Sequence, residues 1–239
     1  MDAERLALQK PLKVLVACEE SQAVTKEMRR LGHEAYSCDI RECSGGHPEW
    51  HIMGDALPLI NGRCEFKTMD GKTHRIEGRW DLLIAHPPCQ KLSNAGAVNM
   101  GRKDSVCATS QWRERFLQDR CDAAIFFMTF LTADCNKICV ENPDGYMNTH
   151  FRKPDQHIEP YEYGDAWKKK TGLWLKGLPP LQPTQVVKPV GKWVQQNKKG
   201  RPAKSEAWEV IGTRSAKVRS KTFPGIAKAM AEQWAGETK

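Results

Sequence analysis

The stretch KVLVACEESQAVTKEMRRLGHEAYSCDI, residues 13–40, decides the fold because two apolar runs enclose one amphipathic segment. Residues 13–18 are apolar and rich in β-branched side chains, which predicts a buried strand, and residues 33–40 predict a second. Between them a helix is expected over 19–31, ending at Gly32. Its apolar face comprises Ala23, Val24, Met28 and Leu31. Short connections in a strand–helix–strand unit predict parallel strands and a right-handed crossover.

The rest of the chain continues this alternation of strands and helices. Further buried strands are predicted at 81–85, 137–143 and 172–178, with helices at 111–133 and from Pro224 onward. The side chains expected to face the core are Trp112, Phe116, Leu117, Ala124, Phe127 and Leu131 in the first helix, and Ile226, Ala227, Met230, Ala231 and Trp234 in the last. Buried strands that alternate with helices predict a doubly wound, Rossmann-like α/β sheet.

Two segments interrupt the alternation. In residues 64–77, Asp70-Gly71 separates two alternating runs, which predicts a β-hairpin that decorates the edge of the sheet. Residues 91–110 are small, polar and glycine-bearing, and therefore predict a loop.

Composition indicates one globular unit in a reducing compartment. The 239 residues, 40% hydrophobic and 28% charged, are enough for one sizeable core and too few for two comfortable domains. The polar N-terminus does not resemble a signal peptide, and the nearly apolar run 123–133 is too short to cross a bilayer. The nine cysteines form no regular framework, so we expect reduced thiols in a cytoplasm, no membrane association and no resident metal.

The positive charge of the chain is concentrated in one segment. Residues 188–221 contain ten Lys or Arg and two acids, which equals the whole net charge of +8. A basic segment on a neutral body favours contact with nucleic acid. A solvated loop is the alternative, although Trp193 and Trp208 are unusual in a purely solvating tail.

Polar residues follow the predicted strands at the ends where such sheets bind ligands. Cys18, Glu19, Glu20 and Ser21 follow the first strand, and Asp39 ends the second. Asp55, then His86 to Gln90, then Glu141-Asn142-Pro143 occupy the corresponding positions further along the chain. An acid at the end of a second strand commonly hydrogen-bonds the ribose of an adenine cofactor, which makes Asp39 a candidate.

Together these residues resemble the DNA cytosine-5 methyltransferase family. That family carries Pro-Pro-Cys-Gln at a strand end and Glu-Asn-Val some fifty residues later, as in 87–90 and 141–143 here. The chain looks most like the short phage and prophage members, through its segments 12–20, 177–181 and 221–227. The resemblance implies a catalytic core over 1–181, a short basic DNA-contacting segment over 182–221, and a C-terminal helix over 222–239 that packs back on the core.

The resemblance implies methylation of cytosine carbon 5 with S-adenosylmethionine as the methyl donor. Cys89 is then the nucleophile that adds to carbon 6, Glu141 the carboxyl group at N3, and Asn142 the residue that orients loop or base. The base must leave double-stranded DNA to react. The residues expected at the cofactor are Cys18, Glu19, Ser21, Asp39, Ile40, Asp55, Ala56 and Pro87. Those expected at DNA are Gln90, Ser93, Lys169, Lys170, Lys198, Lys199 and Arg201, in a protein expected to act as a monomer.

The chain departs from the family pattern in three places. No glycine follows the first strand until Gly32, so the backbone must approach the cofactor differently. Glu-Asn-Val has become Glu-Asn-Pro at 141–143. The later Gln-x-Arg-x-Arg strand has no match, and one lysine among 168–170 is expected to replace its base-holding arginine.

Three other interpretations compete with this one. Cys38, Cys43, His47 and His51 have spacings that tolerate zinc, although their order is unfamiliar. A catalytically degenerate DNA-binding protein would explain the missing glycine loop, but not an intact Cys89 and Glu141. Methylation of an exocyclic nitrogen usually requires Asp/Asn-Pro-Pro-Tyr/Phe, and His86-Pro-Pro-Cys89 lacks both defining side chains.

Overall fold

The computed structural model describes residues 10–94, 110–190, 195–198, 201–204 and 220–238. Its strands and helices, in chain order, are β1 (Lys13–Ala17), α1 (Ala23–Arg30), β2 (Glu34–Asp39), β3 (His51–Met53), β4 (Cys64–Lys67), β5 (Thr73–Ile76), β6 (Leu82–Ala85), α2 (Ser110–Leu131), β7 (Ile138–Asn142), α3 (Tyr146–His150), β8 (Gln156–Ile158), β9 (Thr171–Lys176), β10 (Gln195–Lys198), β11 (Arg201–Lys204) and α4 (Pro224–Trp234). In these ranges, no helix is long and apolar enough to span a bilayer.

Seven strands form the central sheet, in the order β3-β2-β1-β6-β7-β9-β8. The five strands from β3 to β7 are mutually parallel, and β9 runs antiparallel to both of its neighbours. The two strands and the helix predicted within residues 13–40 are confirmed, although the helix begins at Ala23 rather than at 19, and the α/β, Rossmann-like fold is confirmed as well. The order reverses direction between β1 and β6, which makes the crevice beyond their carboxyl ends the expected place for a ligand.

Helices cover both faces of the sheet. On one face α1 packs against α4, and the core there includes Val24 and Met28 of α1 with Met230 and Trp234 of α4. The apolar stripe predicted for α4 is confirmed, since all five of its residues are buried, and Trp234 Nε1 donates to the Pro179 carbonyl at 2.9 Å. The opposite face is covered by α2, whose Phe127 and Phe130 are fully buried.

The face predicted for α2 is correct except at one position. Phe116 and Phe127 are buried and Ala124 and Leu131 are partly buried, whereas Leu117 is 48% exposed; the side chain of Trp112 lies outside the described residues. Leu117 falls about 100° from Phe116 around the helix axis, and because one flat sheet face covers only a narrow stripe, this is far enough to reach solvent. Ile125 and Met128 are exposed on the same helix.

The hairpin β4–β5 forms around Asp70-Gly71 as predicted, but it does not extend the sheet. It is a separate two-stranded sheet whose Phe66 and Ile76 are buried in the same core cluster as Phe127 and Phe130 of α2. Phe66 and Tyr36 pack edge to face with ring centroids 5.0 Å apart. The hairpin reaches the edge strand at its tip, where Met69 N donates to the His51 carbonyl at 2.8 Å. The hairpin therefore lies at the sheet edge, as predicted, but as a separate two-stranded sheet that is also held by two buried side chains.

Candidate active site

The loop after β1 lacks glycine yet adopts left-handed backbone at two positions. Cys18 has φ of 59° and Gln22 has φ of 57°, in the region that glycine usually occupies. The turn is held by Glu19 N, which donates to the Cys38 carbonyl at 3.2 Å, and by the Gln22 side chain, which spans Ser37 and His47. The sharp turn expected from a glycine-rich loop is thus formed here by other residues.

The carboxylates of Glu19 and Glu20 differ in their partners. Glu19 is buried, and its oxygens accept from Val24 N at 2.6 Å and from the Thr25 hydroxyl at 2.7 Å, which caps the N-terminus of α1. Burial raises the pKa of Glu19, although His86 and these hydrogen bonds oppose the rise. Glu20 is 7% exposed, and in the described part of the chain neither of its carboxylate oxygens has a hydrogen-bond partner. Such a buried acceptor is costly unless a ligand satisfies it.

The ends of β2 and β3 present the other predicted cofactor residues at the same rim. Asp39 is half-buried and its Oδ1 accepts from Arg41 N, while Asp55 is exposed and its Oδ1 accepts from Leu57 N. The two ends are joined because Gly54 N donates to the Asp39 carbonyl at 2.9 Å. Ile40 is 79% exposed, whereas Ala56 is buried. Ser21 lies part-buried in the first loop.

The cysteine loop follows β6 at the switch point. His86 N donates to the Ala17 carbonyl, which ties the start of this loop to β1, and the buried Pro87 accepts from Asn142 Nδ2 at 2.9 Å. After the half-buried Cys89 the chain turns at once, since Leu92 N and Ser93 N both donate to the Cys89 carbonyl. Gln90 is exposed beside it, and the predicted loop beyond residue 94 lies outside the described residues as far as 109.

Two neighbouring elements brace this turn from outside. Tyr146 N donates to the Leu92 carbonyl at 2.7 Å, and Ser93 bridges to Gly145, where a Cβ atom would lie 2.0 Å from that carbonyl oxygen. From α2, Arg120 Nε donates to the Lys91 carbonyl at 3.0 Å, and its guanidinium stacks over Tyr146 at 5.1 Å. Sequence reasoning missed Arg120, because an inward-facing arginine on a helix has no pattern of its own.

Glu141 lies on β7, directly beside the cysteine loop. Its side chain is 19% exposed, and its Oε2 lies 3.3 Å from His86 Nδ1. Burial raises the pKa of Glu141, but the hydrogen bonds from His86 and Thr171 and the positive charge of Lys169 outweigh burial and lower it. The sequence predicted Glu141 and Asn142 for this place, but it did not predict that His86 and Thr171 would contact the carboxylate.

The lysines at 169 and 170 have different surroundings. Lys170 Nζ pairs with Asp144 Oδ2 at 2.9 Å and is exposed. Lys169 faces the site, where it interacts with Glu141 and lies over the Phe223 ring at 5.9 Å. A small pocket beside Glu141 is lined by Lys169, Thr171, Thr222, Phe223, Ile226, Met230 and Ile158. Lys198 and Arg201 pair in the β10–β11 ribbon, and Lys199 lies outside the described residues.

Three of the four residues with zinc-like spacing, Cys38, His47 and His51, are engaged in other contacts. Cys38 is buried, with its Sγ 3.5 Å from the Gly54 carbonyl, and His51 contacts Ser37 and the Arg41 carbonyl. His47 stacks on Trp50 with ring centroids 3.9 Å apart. Across the described ranges, no group of three or more His, Cys, Asp or Glu side chains is arranged to hold a metal ion.

Comparison with known proteins finds distantly similar solved structures and no matching family. No family model and no curated protein matches the chain. Among solved structures, a candidate DNA modification methyltransferase encoded within a prophage (E. coli) is 12% identical over 74% of this chain and 52% of its own, with a TM-score of 0.41. A methyltransferase of Entamoeba histolytica is 11% identical over 75% of this chain and 58% of its own, also with a TM-score of 0.41. The chain therefore spans little more than half the length of either neighbour, and both neighbours are methyltransferases by description.

Proposed function

We propose that this protein methylates cytosine at carbon 5 in double-stranded DNA, with S-adenosylmethionine as donor and Cys89 as the covalent nucleophile. The observation that carries the proposal is the contact between the cysteine loop after β6 and the carboxyl end of β7. Asn142 is hydrogen-bonded to the Pro87 carbonyl and Glu141 lies 3.3 Å from His86, which ties the loop that contains Cys89 to the strand that carries the carboxylate. A nucleophile and an acid–base group at one site are what addition to a pyrimidine ring requires.

The residues at the rim fit an adenosyl cofactor. The turn at Cys18 and Gln22 adopts the left-handed backbone that glycine would supply in a glycine-rich loop. The two buried oxygens of Glu20, which have no partner among the described residues, offer acceptors to a hydroxyl or ammonium group. Asp39 and Asp55 would hold ribose and adenine, and the exposed Ile40 would pack on the adenine ring. When bound, the cofactor supplies an electrophilic methyl group on sulfur.

The chain's own residues would carry the remaining chemistry. The Cys89 thiolate forms a bond to carbon 6, which makes carbon 5 nucleophilic, and the bond breaks when carbon 5 later loses its proton. Glu141 is ionised near neutral pH, because its pKa is lowered in the protein without DNA. Its carboxylate can accept from the exocyclic amino group of the base, and on gaining a proton it can donate to N3. Lys169 is the lysine of residues 168–170 that we expect beside the base, because its charge acts on Glu141.

DNA contact is proposed to come from the basic segment around the β10–β11 ribbon together with the cysteine loop. The ribbon contains Lys198 and Arg201 in register with each other. Two-stranded ribbons fit the major groove, and lysine and arginine neutralise phosphates. Gln90 and Ser93 stand next to Cys89 and would contact the flipped base or its neighbours.

The proposal is tested on DNA from cells that express the protein. Nucleoside mass spectrometry should detect 5-methylcytosine with the wild type and none with Cys89→Ser, because a hydroxyl is a much weaker nucleophile than a thiolate. A duplex with 5-fluorocytosine at the target should trap the wild-type protein through Cys89, since fluorine cannot leave as the proton does. N4-methylcytosine or N6-methyladenine instead, or full activity of Cys89→Ser, would refute the assignment.

A degenerate DNA-binding protein of the same fold is the second candidate. It is favoured by the absence of glycine in the first loop, and disfavoured by the left-handed turn that the loop nevertheless makes. Binding of labelled S-adenosylmethionine separates the two. The wild type should bind it, and Asp39→Ala should weaken that binding by roughly 1–3 kcal/mol while leaving DNA affinity unchanged. No cofactor binding by the wild type would favour the degenerate protein.

A further inference from the structure

His86 is a buried histidine to which the proposed reaction assigns no role. It stands between the end of β6 and Pro87, and its backbone N–H is fixed by the Ala17 carbonyl at 3.0 Å. Its side chain is 8% exposed and directed at Glu141, with Nδ1 3.3 Å from Oε2. In the described part of the chain, the other ring nitrogen, Nε2, is buried without a hydrogen-bond partner. A half-satisfied buried imidazole is costly, so its placement calls for a functional explanation.

The side chains that act on the His86–Glu141 pair come from two places in the fold. The loop after β1 contributes the buried Glu19. Burial raises the pKa of this carboxyl group, and the charge of His86 opposes that rise. The residues leading into β9 contribute Lys169 and Thr171, which act on Glu141. His86 therefore stands among two carboxylates and contacts the one that faces the crevice. Glu19 cannot replace Glu141 in this role, because its oxygens are occupied by the N-terminus of α1.

We propose that His86 is a positioning residue that acts through Glu141: its Nδ1–H donates to Oε2 of the carboxylate and fixes the direction in which the carboxylate faces the base. This inference rests on the proposed function of Glu141 at the base. A carboxylate with one oxygen anchored loses rotational freedom, and the remaining oxygen is held in a single direction. The same hydrogen bond favours the ionised carboxylate, so His86 also determines the pH range over which Glu141 changes charge.

Two substitutions separate the hydrogen bond from packing. His86→Leu removes the donor with little change in volume, and His86→Asn keeps a donor at the position of Nδ1 without a titrating ring. We expect His86→Leu to reduce the single-turnover rate of methylation by up to about 100-fold, with the dissociation constant of S-adenosylmethionine unchanged. His86→Asn should recover part of the rate. His74→Asn, in the β4–β5 hairpin, is the matched control and should behave as the wild type.

Two pH-dependent measurements complete the test. The Glu141 carboxyl group is followed by NMR in glutamate-labelled protein and assigned with Glu141→Gln. Its pKa should be higher in His86→Leu than in the wild type, because a hydrogen bond to the ionised form is removed. The limb of the pH–rate profile that Glu141 governs should move to higher pH in the same variant.

The outcomes distinguish this inference from the proposed function. If the Glu141 pKa rises in His86→Leu but the wild type makes no 5-methylcytosine, the link between the two residues stands and the proposed function fails. If the wild type makes 5-methylcytosine, and His86→Leu keeps its rate, pH profile and Glu141 pKa, the role of His86 is overturned. Equal rate losses in both variants with an unchanged Glu141 pKa would also overturn it, since His86 would then contribute packing alone.

Discussion

The thiols of this chain differ in how strongly their surroundings suppress ionisation. Burial, then the charge of Asp39, raises the pKa of Cys38 to about 12, and burial raises the pKa of Cys139 well above its usual value. The pKa of Cys18 is raised by the same two causes. Because the thiolate is the reactive form, these three cysteines are poor nucleophiles. Cys89 is half-buried, and Cys121 is exposed on α2.

This difference predicts the pattern of alkylation in the folded protein. With iodoacetamide at pH 8, Cys89 and Cys121 should be modified, while Cys38 and Cys139 stay unmodified, as measured by mass spectrometry of tryptic peptides. In guanidinium chloride all four should react, which controls for peptide detection. Modification of Cys139 in the folded protein as rapidly as Cys121 would contradict the prediction, since one is fully buried and the other exposed.

Asp144 gives a prediction for stability against pH. Burial opposes its ionisation, but hydrogen bonds from Lys170, His157 and Asn148 lower its pKa to about 2. Because the folded pKa lies below the unfolded value, Asp144 stabilises the fold above about pH 4, and this contribution is lost as the pH falls toward 2. Asp144→Asn should therefore lower the Tm at pH 7, by roughly 2–4 °C for each kcal/mol of stability removed. Calorimetry should find a gap from the wild type that narrows below pH 4, and a gap independent of pH would refute the ionic explanation.

Residue types at the site were predictable, but their conformations were not. Cys89 and Glu141 stand out because Pro-Pro and Asn accompany them at strand ends. The left-handed backbone of Cys18 is not encoded in its residue type; it follows from the bond between Glu19 N and the Cys38 carbonyl, across two strands. The contact between His86 and Glu141 joins positions 55 residues apart, so the strand order had to be known first.

Among the elements, α3 and the cysteine loop are joined by an unusually close backbone approach at Gly145. Its φ of 169° is open to any residue, so the requirement for glycine is one of space. A Cβ atom there would lie 2.0 Å from the Leu92 carbonyl oxygen, which belongs to the turn that presents Cys89.

Gly145→Ala should accordingly displace the turn. We expect about 1–3 kcal/mol of destabilisation from overpacking, and a loss of methylation rate of up to about 100-fold with cofactor affinity unchanged. Denaturant unfolding and single-turnover kinetics measure the two effects. Gly78→Ala is the matched control, because its Cβ would meet nothing within 4 Å. If the two variants were equally active, the close approach would not matter to the site.

The sequence pattern predicted which segments form helices and strands, but it did not predict how those helices and strands pack against each other. Helix α2 was predicted at its observed place, yet Leu117 faces solvent because periodicity cannot tell how wide a stripe the sheet will cover. The β4–β5 hairpin was predicted from Asp70-Gly71, but its burial depends on Phe66 and Ile76 meeting Trp80 and Tyr36. Such contacts join distant segments and leave no local signal in the sequence.

For the whole molecule, the sheet class was predictable and the direction of β9 was not. Alternating strands and helices predict parallel pairs, but β8 and β9 follow each other without a long helix, and β9 pairs antiparallel with β7. This pairing sets Gly172 opposite Asn142 and Leu173 opposite Glu141, next to Thr171 and Lys169. The residues that act on Glu141 from this side therefore depend on a strand direction that the sequence did not reveal.

The concentration of positive charge in residues 188–221 gives a prediction about the binding of duplex DNA. Replacing Lys198, Lys199 and Arg201 with alanine should weaken duplex binding at low salt. It should also reduce the slope of log affinity against log salt by about 0.9 for each phosphate that is no longer neutralised. Fluorescence anisotropy at several salt concentrations measures both. The control, Lys67→Ala with Lys72→Ala and Arg75→Ala on the hairpin, removes the same charge elsewhere. Equal slopes in the two triple variants would show that the basic segment acts only through net charge.

The packing of α1 against α4 has a consequence for biosynthesis. Arg30 of α1 reaches Glu232 of α4 across 202 positions of sequence, so the apolar face of α1 is covered by one of the last described segments to leave the ribosome. Until then Val24 and Met28 have no partner from α4, and contacts of such high sequence separation form late in folding. A nascent chain stalled before residue 222 would thus expose this face, and we expect it to depend on chaperones in a way that the completed chain does not.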